Sequence, residues 1–256
     1  MRPTIKPFIF LLVLFGCVTA VLGMTVLSEP VAKHTPTAPA PAPVSKTALY
    51  DSLRLDTMSL SPKLFYLLCR GTKMQDAGEL SNSRMLTIVD FSLPSSRKRL
   101  FIIDMESKKL LYNTYVSHGR NSGTDMATRF SNRPESFQSS LGFYITGNTY
   151  NGKNGYSLRL DGMEQGINDN ALERAIVMHG SAYVNDRIVH AKGYIGRSLG
   201  CPAIPAALAK VIINTIRNGS CLFIYGHDTS YLAMSKMLSQ PGLPSLSDTM
   251  MADSMG

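Results

Sequence analysis

Between Met85 and Tyr225 the sequence is cut again and again into short apolar runs, each ended by Gly, Pro, Asn, Asp or Ser. Short runs rich in β-branched and aromatic residues between turn formers read as strands, because a helix in a compact domain needs a longer periodic stretch. The pattern predicts strands over Met85–Phe91, Arg99–Met105, Lys109–Ser117, Gly142–Thr149, Tyr156–Leu160, Ala175–His179 and Cys221–Tyr225. Within Leu100–Tyr115 the polar E-S-K-K between two apolar runs makes a hairpin. The fold class expected is mainly β with a few helices (α+β).

The helices are marked by a different period. Two precede the strands, Ala48–Met58 and Ser61–Gln75, the second opened by Ser61 as N-cap and Pro62 as first helical residue, with Leu64, Phe65, Leu67 and Leu68 as its apolar face. Leu208, Val211, Ile212 and Ile216 mark a helix over Pro205–Arg217, ended by Asn218-Gly219, and a short last helix is expected near Tyr231–Leu238.

The N-terminus has the order of an export signal: Arg2 and Lys6, then an uncharged run from Phe8 to Leu27. Residues 1–28 are therefore expected to take the chain out of the cytoplasm, into the periplasm or cell envelope. The run is either cleaved after Ala20 or Gly23 or kept as a membrane anchor; a third fate, lipidation at Cys17 in L-F-G-C, is disfavoured by the bulky Phe15. Residues 29–47, with T-A-P-A-P-A-P-V at their centre, form a semi-extended spacer that builds no core. Residues 48–238 form the folded domain, and 239–256, without periodicity, a disordered tail.

Of 256 residues 44% are apolar, enough for a sizeable core. The formal charge of +8 is spread over single residues and short clusters such as Arg97, Lys98 and Arg99. It reads mostly as a solvated face, compatible with an anionic wall or membrane surface, and no nucleic-acid module is visible. Cys69 lies in a helix and Cys221 opens a strand, so both read most simply as buried small hydrophobes, with a bridge between them left open. No two histidines or cysteines show metal-ligand spacing, no phosphate loop occurs, and Ser122 and Ser181 lack a nucleophile elbow. Neither metal nor cofactor is expected.

Cys201 is different, for it stands in R-S-L-G-C-P-A, between glycine and proline, twenty-two positions after His179 in V-M-H-G. A thiol attacks carbonyls as thiolate and needs a base, a cation or a helix N-terminus nearby. His179 at a strand end and the helix from Pro205 are the candidates, with Gly200 shaping a tight turn that aims N–H groups at an oxyanion. Taken singly, a turn cysteine and a core histidine are more often structural; their joint placement beside glycines at element boundaries makes them the first candidates for chemistry.

The run H-G at His179 followed by S-x-G-C over Ser198–Cys201 resembles the signature of the L,D-transpeptidase catalytic domain, in which histidine-glycine precedes S-H-G-C. S-S-L-G-F-Y-I over Ser139–Ile145 resembles that family's T-P-x-G-x-Y-x-I strand. D-F-S-L-P-S-S-R-K-R-L-F from Asp90, S-H-G-R-N-S-G from Ser117 and R-L-D-G from Arg159 are similar to an exported murein branch, and the likeness covers roughly Lys46–Leu238. The resemblance implies a β-sandwich or barrel, Cys201 as nucleophile and His179 as general base. It implies Gly200, Gly180 and Ser198 as orienting or oxyanion residues, and peptidoglycan stem peptides as substrate. The acyl acceptor would be an amine, giving a cross-link, or water, giving an L,D-carboxypeptidase; a wall-binding homologue without turnover is the alternative class.

Two positions depart from the signature: Leu199 stands where the motif has its second histidine, and Ala203 where it has Arg or Asn two places after the cysteine. Substrate grip is expected to differ, with Arg197 placed to meet a carboxylate. In the polar loop H-G-R-N-S-G, His118 and Asn121 are assigned a weak substrate-side role. His34, His190 and His227 read as spacer, surface and turn residues. A monomer is expected.

Overall fold

The structure, a computed structural model, describes residues 46–71 and 80–239. The export segment with Cys17, the spacer with His34, the end of the second expected helix up to Gln75, and the tail from residue 240 lie outside the described residues. The chain divides into units of residues 1–42 and 43–256, and all described residues belong to the second. Among them no helix is long and apolar enough to cross a membrane.

One eight-stranded sheet organises the domain, in agreement with a mainly β fold. Its strands are β1 (Met85–Asp90), β2 (Leu100–Asp104), β3 (Lys109–Thr114), β4 (Gly142–Gly152), β5 (Gly155–Gly162), β6 (Val177–Ser181), β7 (Ala203–Pro205) and β8 (Cys221–Tyr225). They lie in the order β3-β2-β1-β8-β4-β5-β6-β7. Pairing is antiparallel except for β1 with β8 and β6 with β7. Beyond β3 the chain reaches the far edge: Ser117 bridges Ala203, Gly119 bridges Ser198, and Ser117 N donates to Ala203 O at 2.8 Å. The sheet thereby nearly closes into a barrel, which removes an edge open to other chains.

The expected strands are present with ends shifted by a few residues, and Cys221–Tyr225 matches at both ends. The β2–β3 hairpin turns where expected, with Asp104 Oδ1 accepting Glu106 N at 3.0 Å and Ser107 N at 3.1 Å. At the centre of the sheet β1 and β8 are buried at every position, the pattern of a parallel pair covered on both faces.

The helices are α1 (Lys46–Ser52), α2 (Pro62–Gly71), α3 (Asp186–Lys192), α4 (Ala206–Ile216) and α5 (Thr229–Met234). The first expected helix is split: Arg54 takes φ +51°, and only a 3-10 turn at Asp56–Met58 follows. The second begins as expected, with Ser61 Oγ accepting Leu64 N at 3.1 Å, and its Leu64, Phe65, Leu67 and Leu68 are all in the main core. In α4 the buried stripe is Ala209, Ile212, Ile213 and Ile216, while Val211 is 49% exposed. Cys69 and Cys221 are both buried and are not joined by a disulfide.

Arg99 corrects the view of the basic clusters as solvated. It is fully buried and stacks over the Phe91 ring at 4.8 Å. Its guanidinium is satisfied by Val116 O at 2.9 and 3.0 Å, Leu93 O at 2.8 Å and His118 Nδ1 at 2.7 Å, which is what a buried cation requires. Burial pulls its pKa down to about 9.

Candidate active site

The site is built on the second parallel pair. β6 and β7 run side by side with His179 opposite Ala203, so the residues just before β7 lie alongside the end of β6. His179 is nearly buried, and its Nδ1 lies 3.0 Å from Gly180 O. A carbonyl only accepts, so Nδ1 is the donor in this bond, and in the neutral ring Nε2 is then the nitrogen with the free lone pair. Gly180 serves packing: a Cβ there would lie 2.7 Å from Ala209 Cβ and 3.2 Å from Ala206 Cα, so its absence lets α4 settle on β6.

The Arg197–Cys201 turn is fixed by backbone bonds from a distant segment. Ser198 N donates to His118 O at 2.9 Å and Arg120 N donates to Ser198 O at 2.8 Å. Ser198 Oγ donates to Cys201 O at 2.6 Å and accepts Gly200 N at 3.0 Å, locking the turn from inside. Gly200 holds φ +128°, and a Cβ there would lie 2.9 Å from Gln138 O. Its N–H is thus spent on Ser198 Oγ, and its carbonyl accepts Ser139 Oγ at 3.1 Å. The expectation that Gly200 offers its N–H to an oxyanion meets a donor already committed.

The Cys201 thiol, half-buried, donates to Ala175 O at 3.6 Å. Burial pushes its pKa up; the backbone N–H of Val177, the Arg174 charge and its own N–H pull the other way. Around the sulfur is a cleft of about 430 Å³ lined by His179, Gly180, Arg174, Tyr183, Arg197, Ser198 and others. Leu199 lies on its rim, 59% exposed. Arg197 is exposed, with Nη1 on Arg120 O at 3.2 Å and Gly123 O at 2.9 Å.

Other expected site residues fall elsewhere. His118 is wholly buried, takes the Arg99 bond on Nδ1 and gives Nε2–H to Gly123 O at 3.3 Å. Burial and the neighbouring Arg99 charge push its pKa down to about 4, so it is a neutral bracket for the 117–123 loop and is not part of the cleft lining. Asn121 is exposed, with Nδ2 donating to Ser136 O at 2.9 Å, and it too is not part of the lining. Strand β7 intervenes between Cys201 and α4, so that helix does not start at the thiol. Ala203 is wholly buried with Val184 and Ile195 in a small apolar cluster, which suits a methyl group and no charged side chain. His190 is exposed on α3, and His227 is exposed with its ring edge-on to Tyr225.

Arg174, Ser139 and Tyr183 were not singled out in the sequence. Ser139 lies in the S-S-L-G-F-Y-I run, which pointed to it as a motif position; nothing local marks Arg174 or Tyr183. A larger hollow of about 680 Å³ lies near the start of α2 and the end of β8. There the Ser92 hydroxyl is held by Asp90 at 2.5 Å, and no thiol lines it, so chemistry and not volume selects the Cys201 cleft. Among the described residues no group of His, Cys, Asp and Glu is arranged to hold a metal ion.

A comparison with curated proteins finds no match. Among solved structures the chain is similar to an L,D-transpeptidase from Mycobacterium smegmatis, with 12% identity, TM-score 0.35, and coverage of 56% of this chain and 59% of that one. It is also similar to an L,D-transpeptidase from Stackebrandtia nassauensis, with 14% identity, TM-score 0.35, and coverage of 71% and 78%. The chain thus spans about three fifths of the mycobacterial protein's length. Over residues 56–225, the stretch that holds β1 to β8 and both His179 and Cys201, the chain matches the family model of the L,D-transpeptidase catalytic domain, and it belongs to that family.

Proposed function

We propose that the protein is an extracytoplasmic peptidoglycan L,D-transpeptidase with Cys201 as nucleophile and His179 as general base. The observation that carries this is one cleft holding a half-buried thiol and an imidazole whose Nδ1–H is tied to Gly180 O, in a chain of this family. His179 Nε2 takes the thiol proton, and the sulfur attacks the carbonyl joining the third stem residue to the terminal D-alanine. The C–N bond breaks as the imidazolium returns its proton to the leaving amine, leaving a thioester and free D-alanine. An amine of a neighbouring stem then displaces the sulfur and forms the cross-link; water in its place gives carboxypeptidase action.

With Gly200 N–H committed, the backbone N–H groups that act on the sulfur, those of Val177 and Cys201, are the candidate donors for the oxyanion. Arg197, exposed in the cleft, meets a stem carboxylate, and exposed Leu199 gives the lip an apolar surface. Residues 1–28 serve as the export segment that takes the chain out of the cytoplasm, cleaved afterwards or kept as an anchor.

Incubation of the soluble domain with a carbapenem, followed by intact mass, tests the reading. A covalent adduct is expected, absent in Cys201→Ala, together with D-alanine release from tetrapeptide stems. No adduct and no release would leave a wall-binding protein without turnover; muropeptide analysis separates cross-linking from hydrolysis.

A further inference from the structure

Arg174 sits one residue before Ala175, whose carbonyl accepts the thiol hydrogen bond and whose φ of +53° is left-handed. Its guanidinium gathers four acceptors from ten residues of one loop. Nη1 donates to Ser131 O at 2.7 Å and to Ser140 Oγ; Nη2 donates to Gln138 O at 2.6 Å and Ser136 Oγ at 3.3 Å. That loop lies directly behind the reactive turn: Ser139 Oγ holds Gly200 O, and Arg174 Nη2 stands 3.4 Å from where a Gly200 Cβ would be.

All four partners are neutral, so the bonds hold the guanidinium without cancelling its charge. The groups whose ionised forms its charge would favour are Tyr144, which burial keeps protonated, and Cys201. The titratable groups facing Cys201 in the cleft are His179 from β6, Tyr183 from the loop after it, Arg197 from its own turn, and Arg174. Arg197 spends part of its fork on Arg120 O and Gly123 O and is exposed, whereas Arg174 is half-buried, where a charge is less screened.

We propose that Arg174 is a positioning residue for Cys201, clamping the 131–140 loop under the Gly200–Cys201 turn and supplying the positive charge that favours the thiolate. This rests on Cys201 being the nucleophile. The coupling seen from each side agrees in sign: Arg174 draws the Cys201 pKa down, and Cys201 draws that of Arg174 up. A purely structural arginine would serve the clamp equally well with its charge far from the sulfur.

The test is the rate of Cys201 alkylation by iodoacetamide against pH, read on the Cys201 peptide by mass spectrometry, with carbapenem acylation measured in parallel. Arg174→Gln is expected to move the alkylation midpoint upward and slow the reaction at pH 7 about tenfold, the effect of one unit in thiol pKa. Arg174→Lys, which keeps the charge but not the fork, is expected to lose less than about threefold. A folded Arg174→Gln with the native midpoint overturns the proposal, as does Arg174→Lys shifted as far as Arg174→Gln. If the glutamine variant does not fold, the lysine variant decides alone, and a tenfold loss there overturns the proposal. Alkylation that depends on Arg174 while no variant acylates supports the positioning role and sinks the transpeptidase reading instead.

Discussion

The sheet contains two parallel pairings put to opposite uses. β1 and β8 lie at its centre, five register pairs long, buried at every position. β6 and β7 lie at its edge, three pairs long, and include Gly180 and Pro205, both poor strand residues. The first pairing is held by apolar packing from both faces; the second is held by bonds reaching in from residues 117–120 and 139. The buried core and the candidate site thus occupy separate parts of one sheet, and substitutions should separate stability from any activity.

The largest contrast is expected from Cys201→Ala, which should abolish the carbapenem adduct while moving urea-unfolding stability by less than about 1 kcal/mol. Phe223→Ala should do the reverse. It removes a wholly buried ring stacked on Phe143 at 4.2 Å and should cost about 3–5 kcal/mol in the same unfolding measurement, with acylation retained wherever the protein is folded.

Next comes a pH effect behind the site. His118 is held at about 4 when folded, against about 6.5 when unfolded, so the native state binds fewer protons between these values. Its contribution is complete above about pH 6.5 and is lost as pH falls from there to about 4, by up to about 3 kcal/mol. Unfolding midpoints taken across this range should show that slope, and His118→Gln should flatten it. The smallest effect is Ser198→Ala, which strands Gly200 N–H and frees Cys201 O. A cost of about 1–3 kcal/mol is expected, with acylation falling more than stability accounts for; unchanged acylation would mean the turn does not need its internal lock.

How far the sequence revealed this molecule depended on what held each part. Central strands were legible because burial on both faces writes itself as continuous Val, Ile, Leu and Phe, as in Cys221–Tyr225. α3 was not, since it buries no residue and is set by caps, Asn185 Oδ1 accepting Ile188 N at 3.0 Å and Gly193 at φ +80°. β7 is three residues whose strand character comes entirely from its partners. Cys201 and His179 stood out as motif positions. Arg174 did not, because its role depends on a loop more than thirty residues away in the chain. His118 and Arg99 misled for one reason: polar residues in a strand or Gly-rich loop look solvent-facing until their partners are known.

Ala203 N donates to Ser117 Oγ across 86 residues of chain, and Ser139 Oγ reaches Gly200 across 61. Contacts so remote in sequence are the dearest to form in entropy and come together only when most of the intervening chain is ordered. The turn beneath the thiol is therefore held by contacts that the local sequence does not supply. Until these remote contacts form, Cys201 is a cysteine without an organised cleft around it, so the candidate site exists only in the completed fold.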